Sequence, residues 1–146
     1  MSGSAAPPEA RGRASVLVVD DDAQACLTLR ALLEEEFEVS SAGSVDQARQ
    51  CMAARSFDVV VTDFQFPGEN GLGLLRTVTD QHPTTVRILL TGHGDLPTVK
   101  TAKERKLVTH VLLKPYDPKD LLRWVRTGVQ VARLRQATHG ISQKNR

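Results

Sequence analysis

Short apolar runs alternate along this chain with stretches of helical spacing. The runs are Val16–Val19, a weaker one at Phe37–Val39, then Val59–Val61, Val86–Leu90 and Val111–Leu113. All but the weak second run are rich in Val, Ile or Leu, as expected of strands covered on both faces. Between the runs, apolar side chains recur three or four positions apart: Cys26, Leu29, Leu32 and Leu33, then Ala48, Cys51 and Met52, then Leu72, Leu75 and Val78, and last Leu121, Leu122, Val125 and Val129. These predict helices. A fourth helix over Leu96–Lys106 has a thin apolar stripe, because Thr98, Lys100, Thr101 and Lys103 interrupt it.

Local signals mark the boundaries. Ser44 with Gln47 three residues on forms a capping box, and Asp117-Pro118 is an N-cap followed by a first-turn proline. Pro67-Gly68 and Asn70-Gly71 punctuate the loop before the third helix. Five βα units imply a parallel sheet between two layers of helices, and 146 residues give room for one such domain. Residues 1–13, rich in Ser, Ala, Pro and Gly, read as a disordered tail. The domain is expected over 14–131. Residues 132–146 read as a basic helical extension that frays after Gly140.

Composition changes this picture little. Aromatic residues are 4% of the chain, so the core falls to Val, Leu and Ala. No apolar run approaches a membrane span, and the first residues lack an apolar signal region, so the expected location is the cytoplasm. Cys26 and Cys51 lack metal-ligand spacing and are expected as small buried hydrophobes in a reducing compartment. Charge is unevenly placed: residues 1–73 hold 5 basic and 12 acidic side chains, residues 74–146 hold 14 and 5, within a formal net charge of +2. This asymmetry is read as two edges of opposite sign in one compact fold.

The chemistry collects where strands end. The first strand runs into Asp20, Asp21 and Asp22, the third ends at Asp63, the fourth at Thr91 and the fifth at Lys114. In an open parallel sheet, ligands bind beyond the carboxyl ends of the strands. Adjacent carboxylates repel, by about 1 kcal/mol at 4 Å in water and more near protein, so either the cluster is simply solvated or a cation belongs among them. Carboxylates without a His or Cys cluster suit a hard divalent ion, and Mg²⁺ is the natural candidate. A hydroxyl and an ammonium beside them suit an anionic phosphoryl group, toward which a carboxylate can act as nucleophile.

The blocks "VLVVDDD", "VVVTDFQFPGENGLGLL", "ILLTGHGD" and "VLLKPYDPKDLL" resemble, in order and spacing, those of bacterial two-component response-regulator receiver domains, the family of the chemotaxis protein CheY. The resemblance covers about Ala14 to Val131. It implies a flavodoxin-like, doubly wound, five-stranded parallel sheet of order 2-1-3-4-5 with helices on both faces. By motif, Asp63 resembles the phosphoacceptor, and Asp20 and Asp21 the pair that holds Mg²⁺, Asp21 directly and Asp20 largely through water. Gln65 would lend a backbone carbonyl to the metal, Thr91 resembles the switch hydroxyl, and Lys114 the lysine that pairs with phosphate. Asp22 is then left to cap the first helix. One position departs: where receivers often place Tyr or Phe, three residues before the lysine, this chain has Val111, which puts the usual aromatic coupling in doubt. Gln65 and His93 occupy positions expected to tune phosphoryl lifetime. His110 is expected on the surface or in a loop, and Trp124 as a packing or partner-facing aromatic.

The implied function is a receiver that takes a phosphoryl group from a histidine kinase or phosphotransfer protein onto Asp63 and alters its partner-binding surface, assisting its own Mg²⁺-dependent chemistry without turning over an external substrate. The alternative is a docking module of the same fold that works without phosphorylation. An aspartate-nucleophile phosphatase is disfavoured because Gln65, where such enzymes carry an acid/base aspartate, cannot transfer protons. No phosphate-binding loop for nucleotides is present. Lys100, Lys103, Arg105, Lys106, Arg123 and Arg126 predict a basic surface over the fourth and fifth helices, where the resemblance places a downstream protein partner or a second copy of the chain. No DNA-reading or catalytic segment follows the fifth helix, so direct DNA binding is not expected. The chain reads either as a single-domain regulator or as the input half of a longer one.

Overall fold

In the computed structural model, which describes residues 13–66, 69–92 and 96–144, the predicted alternation is realised. The elements are β1 (Ser15–Val19), α1 (Ala23–Leu33), β2 (Glu38–Ala42), α2 (Val45–Ala54), β3 (Val59–Asp63), β4 (Gln65–Phe66), β5 (Glu69–Asn70), α3 (Leu72–Gln81), β6 (Val86–Thr91), α4 (Leu96–Glu104), β7 (His110–Leu113) and α5 (Pro118–Lys144). The main sheet is parallel throughout, in the order β2-β1-β3-β6-β7. Counting only its own strands along the chain, that is 2-1-3-4-5, as the resemblance implies. The β4/β5 hairpin, antiparallel through Gln65 with Asn70 and Phe66 with Glu69, was not foreseen. It folds within the stretch read as a punctuated loop, whose Pro67-Gly68 lies outside the described residues.

The two-faced strands build two cores. Val16 and Val18 of β1 join Val59, Val61, Ile88 and Leu90 against Leu29 and Leu33 of α1 and Leu121, Val125 and Val129 of α5. Leu17 and Val19 point the other way, with Val60, against Val45, Ala48 and Met52 of α2 and Leu74 and Val78 of α3. A third cluster, Phe64, Leu75, Leu89, Val99, Ala102 and Leu107, seats α4 beside α3. Each fully buried Val or Leu contributes about 1.5–3 kcal/mol relative to exposure. Where α5 crosses the sheet, a side chain at Gly128 would put its Cβ 3.1 Å from Val86 and 3.2 Å from Val59, so either valine would have to give by a few tenths of an ångström.

The caps form as the sequence indicates. Asp22 accepts from the Gln24 amide (2.9 Å), Ser44 from the Gln47 amide (3.1 Å) and Asp117 from the Lys119 amide (2.8 Å). Gln47 reaches back to the Gly43 amide (2.7 Å), one residue before its cap. The second strand extends past Val39 to Ala42, paired to β1 along its length.

α4 ends at Glu104 and not at Lys106, for a visible reason. Lys106 adopts a left-handed backbone (φ 58°). Its amide then bonds Lys103 O (3.1 Å) and the Leu107 amide bonds Ala102 O (2.9 Å), the paired closure of a Schellman turn. α5 is longer than the domain needs and continues through Gly140 to Lys144. Gln136 on this extension donates to Asp58 at the amino edge of the sheet (2.8 Å). Residues 1–12 of the expected tail lie outside the described residues. Arg13 donates to the Glu34 carbonyl.

Because glycine carries no steric penalty at a left-handed turn, Lys106→Gly should stabilise the domain by roughly 1 kcal/mol. Denaturant unfolding of the two proteins, read as a shift in midpoint at constant slope, measures this.

Candidate functional site

β1 adjoins both β2 and β3, so the chain reverses direction across the sheet between β1 and β3, and this switch point opens at their carboxyl ends. Asp20 follows β1 and Asp63 ends β3. The register aligns Val19 with Thr62 and Asp63 with Leu90, and on the far side Thr91 with Leu113. The Lys114 amide donates to Thr91 O (2.7 Å). Strand pairing alone therefore brings Asp20, Asp63, Thr91 and Lys114 to one rim.

One carboxylate oxygen from each of Asp20, Asp21 and Asp63 lies within 4.8 Å of the others. Asp20 is buried and Asp21 exposed, with Asp63 between them. Lys114 Nζ sits 3.2 Å from Asp63 Oδ1, which also accepts from the Phe64 amide (2.8 Å). Among the described residues no hydrogen bond reaches Asp63 Oδ2. Asp20 Oδ1 accepts from the Asp22 amide (2.9 Å). Burial pushes the Asp20 carboxyl above its usual range against the pull of that amide bond, and the Asp63 charge adds to the rise. Counting the described residues, three carboxylate charges face one ammonium, two charges short of neutrality. An all-oxygen donor set with that deficit fits Mg²⁺.

Gly71 supports Asp63 from behind. Its amide donates to Phe64 O (2.6 Å), and a Cβ there would lie 3.0 Å from Asp63 O. Gln65 begins the β4 arm of the hairpin, directly after Phe64, with an exposed side chain. Thr91 is fully buried at the end of β6. His93 lies outside the described residues. The sequence reading passed over Tyr116, half-buried beside the site. Its hydroxyl is raised in pKa chiefly by burial, with Lys114 lowering and Asp20 raising it.

Three other expectations change. His110 is not a loop residue: it opens β7 and stacks on Trp124 of α5, centroids 3.4 Å apart. Burial, with Lys103 nearby, lowers its pKa. Arg126 does not belong to the α4 side, because it forms a two-bonded ion pair with Glu36 (2.7 and 2.6 Å), just past α1. Cys26 and Cys51 are free and half-buried instead of fully buried. The Cys26 thiol donates to Asp20 O (3.3 Å).

The family model for the response regulator receiver domain matches residues 16–126. The chain belongs to the response regulator receiver family. Receivers of this kind are signalling modules of two-component systems and generally bind Mg²⁺ at an acidic pocket such as the Asp20, Asp21 and Asp63 cluster. The chain is 32% identical over 127 residues to the hydrogenase transcriptional regulatory protein HoxA of Cupriavidus necator, covering 87% of this chain and 26% of that protein. It is 36% identical over 124 residues to the C4-dicarboxylate transport transcriptional regulatory protein DctD of Pseudomonas aeruginosa, covering 82% and 26%. It therefore spans about a quarter of the length of either regulator. Among solved structures, a response regulator receiver domain protein from Clostridium thermocellum superposes with TM-score 0.77 at 31% identity, covering 83% of this chain and 98% of that one. Among the described residues no helix is long and apolar enough to cross a membrane.

Without metal, ionised Asp20 costs this receiver stability. Its raised pKa means that the folded state holds the proton more tightly, so the stability it contributes is present below pH 3.8 and is lost as pH rises through the folded-state value. Asp20→Asn should raise the metal-free thermal midpoint at neutral pH and flatten that pH slope. Mg²⁺ should raise the midpoint of the wild type more than that of the variant. Thermal melts with and without Mg²⁺, from about pH 3, below the ordinary carboxylate pKa, to about pH 8, well above it, decide it.

Proposed function

We propose that Asp63 accepts a phosphoryl group from a histidine kinase or phosphotransfer protein, and that the change at the site is read by a protein partner. The observation that carries this is the meeting of Asp63 with Asp20, Asp21 and Lys114 at the switch point. A carboxylate oxygen of Asp63 attacks phosphorus. The O–P bond forms as the N–P bond of the donor phosphohistidine breaks, and its electron pair leaves on the imidazole nitrogen. Asp20, Asp21, Asp63 and the Gln65 carbonyl would hold Mg²⁺, with Asp21 binding directly and Asp20 largely through water. Bound there, the ion neutralises charge on the carboxylates and on the phosphoryl oxygens. Lys114, already beside Asp63, remains to pair with a phosphoryl oxygen. Thr91 donates its hydroxyl to another. Catalysis of this kind consists of positioning and charge neutralisation, and the chain does not turn over an external substrate.

The partner surface in this reading is α4, β7 and α5. Lys100, Lys103, Arg105 and Lys106 are exposed there, and none pairs with a carboxylate among the described residues. Leu113 and the His110–Trp124 stack lie at the same edge strand. The charge fits an acidic protein surface, either a downstream partner or a second copy of the chain, in the cytoplasm. Residues 14–131 form the receiver in this reading, and 132–146 its helical extension.

Intact-protein mass after incubation with Mg²⁺ and a small acyl-phosphate donor tests the chemistry. One phosphoryl adduct is expected on the wild type and none on Asp63→Ala. An undiminished adduct on the variant would sink the assignment. Absence of both the adduct and a beryllofluoride complex in the wild type would favour a docking module independent of phosphorylation. For the surface, Lys100→Gln with Lys103→Gln should weaken partner binding and flatten its salt dependence. Unchanged affinity contradicts that part.

A further inference from the structure

Arg87 stands inside an otherwise uncharged strand and is 6% exposed. Among the described residues its guanidinium has no carboxylate partner. It is held by carbonyls instead: Nε donates to Leu107 O (2.8 Å), and the two terminal nitrogens donate to Thr85 O (2.8 Å) and Lys106 O (3.4 Å). Lys106 and Leu107 are the residues of the Schellman turn that ends α4, so a buried cation meets the carbonyl-rich end of that helix. The backbone completes the clamp. The Arg87 amide donates to Thr109 Oγ1 (3.1 Å), and the Thr109 amide donates to Arg87 O (2.8 Å). Burial, reinforced by Arg135, lowers the guanidinium pKa to about 10, which leaves it charged at neutral pH.

The two-residue period of a strand places Arg87, Leu89 and Thr91 on one side of β6. Thr91 is at the site. Leu89 packs with Val99 and Ala102 of α4, and Arg87 grips the turn that follows α4. Val111 packs against the same cluster, where a small branched side chain fills space without a ring to swing.

We propose that Arg87 is the positioning residue for α4: it fixes the carboxyl end of the helix to β6, so that movement of Thr91 toward a phosphoryl group turns α4 about that clamped end, a route along one strand face that replaces an aromatic switch at Val111. The proposal rests on Asp63 as phosphoacceptor. A helix free at both ends would shift as a body. One clamped at the carboxyl end amplifies displacement at its amino end, next to the site.

Amide hydrogen exchange of the full chain, with and without Mg²⁺ and beryllofluoride, tests it in the wild type and in Arg87→Met. In the wild type, the phosphoryl mimic should change protection over Thr98 to Lys100 and leave Lys103 to Leu107 unchanged. In Arg87→Met, the Leu107 and Thr109 amides should exchange roughly tenfold faster without ligand, the loss expected when hydrogen bonds to a charged donor go. The mimic should then alter protection through Lys103 to Leu107 as well, while still binding. Arg87→Lys, which keeps the charge but cannot fork to three carbonyls, should fall between the two. Equal responses at both ends of α4 in the wild type overturn the proposal even if Arg87→Met does not fold. So does an Arg87→Met response identical to that of the wild type. No response at Asp63 and Thr91 in the wild type overturns the phosphoacceptor reading, and the proposal with it. A response there with movement at the carboxyl end of α4 overturns the proposal alone.

Discussion

Among the described residues, three carboxylates converge on one pocket with one ammonium beside them, and two of the three are held by the strands that carry them. Asp20 follows the buried run Val16–Val19 of β1, and its carboxylate is oriented by the Asp22 amide. Asp63 is fixed by the end of β3 and by Gly71, which lets the chain pack against its carbonyl. The sheet between them is covered on both sides, so relieving the repulsion by fraying would expose apolar core. The deficit of charge is thus built into the fold. A deficit of this kind suits a divalent cation, as receivers generally bind at such an acidic pocket.

Much of this was legible in the sequence because the relevant patterns are local. A run such as "VLVV" that is apolar on successive residues admits few roles besides a doubly covered strand, and once the strands are parallel their carboxyl ends share one edge. That pattern alone puts Asp20, Asp63, Thr91 and Lys114 at one edge. What was missed depends on distances that spacing does not encode. The separation of 90 positions between Glu36 and Arg126 hides an ion pair that takes Arg126 away from the surface to which its charge seemed to assign it. His110 meets Trp124 where the start of β7 touches α5, and a strand end and a helix face carry no common sequence mark. Lys106 at a helix end gave no hint of a left-handed turn, since Gly or Asn is the usual sign.

Arg87 is a different kind of miss, because its signal was present. A lone cation within "VRILLT" is costly to bury and must be satisfied by something specific. Reading the run only for apolar content concealed this. The residue joins the turn after α4 to the strand that carries Thr91, which is where a receiver without an aromatic at position 111 needs a connection. The Gln136–Asp58 hydrogen bond ties the α5 extension to the opposite end of the sheet. Both the Arg87 clamp and this contact lie at the amino end of the sheet, opposite the site.

The central claim is electrostatic: the pocket is organised by a charge deficit that a divalent cation fills. Calorimetric titration of Mg²⁺ into the wild type and into Lys114→Met tests it most directly, since the substitution deepens the deficit without touching a carboxylate. The account predicts one bound ion in each protein and several-fold tighter binding to the variant, despite its loss of phosphoryl transfer. Equal or weaker binding by a folded Lys114→Met protein would contradict it.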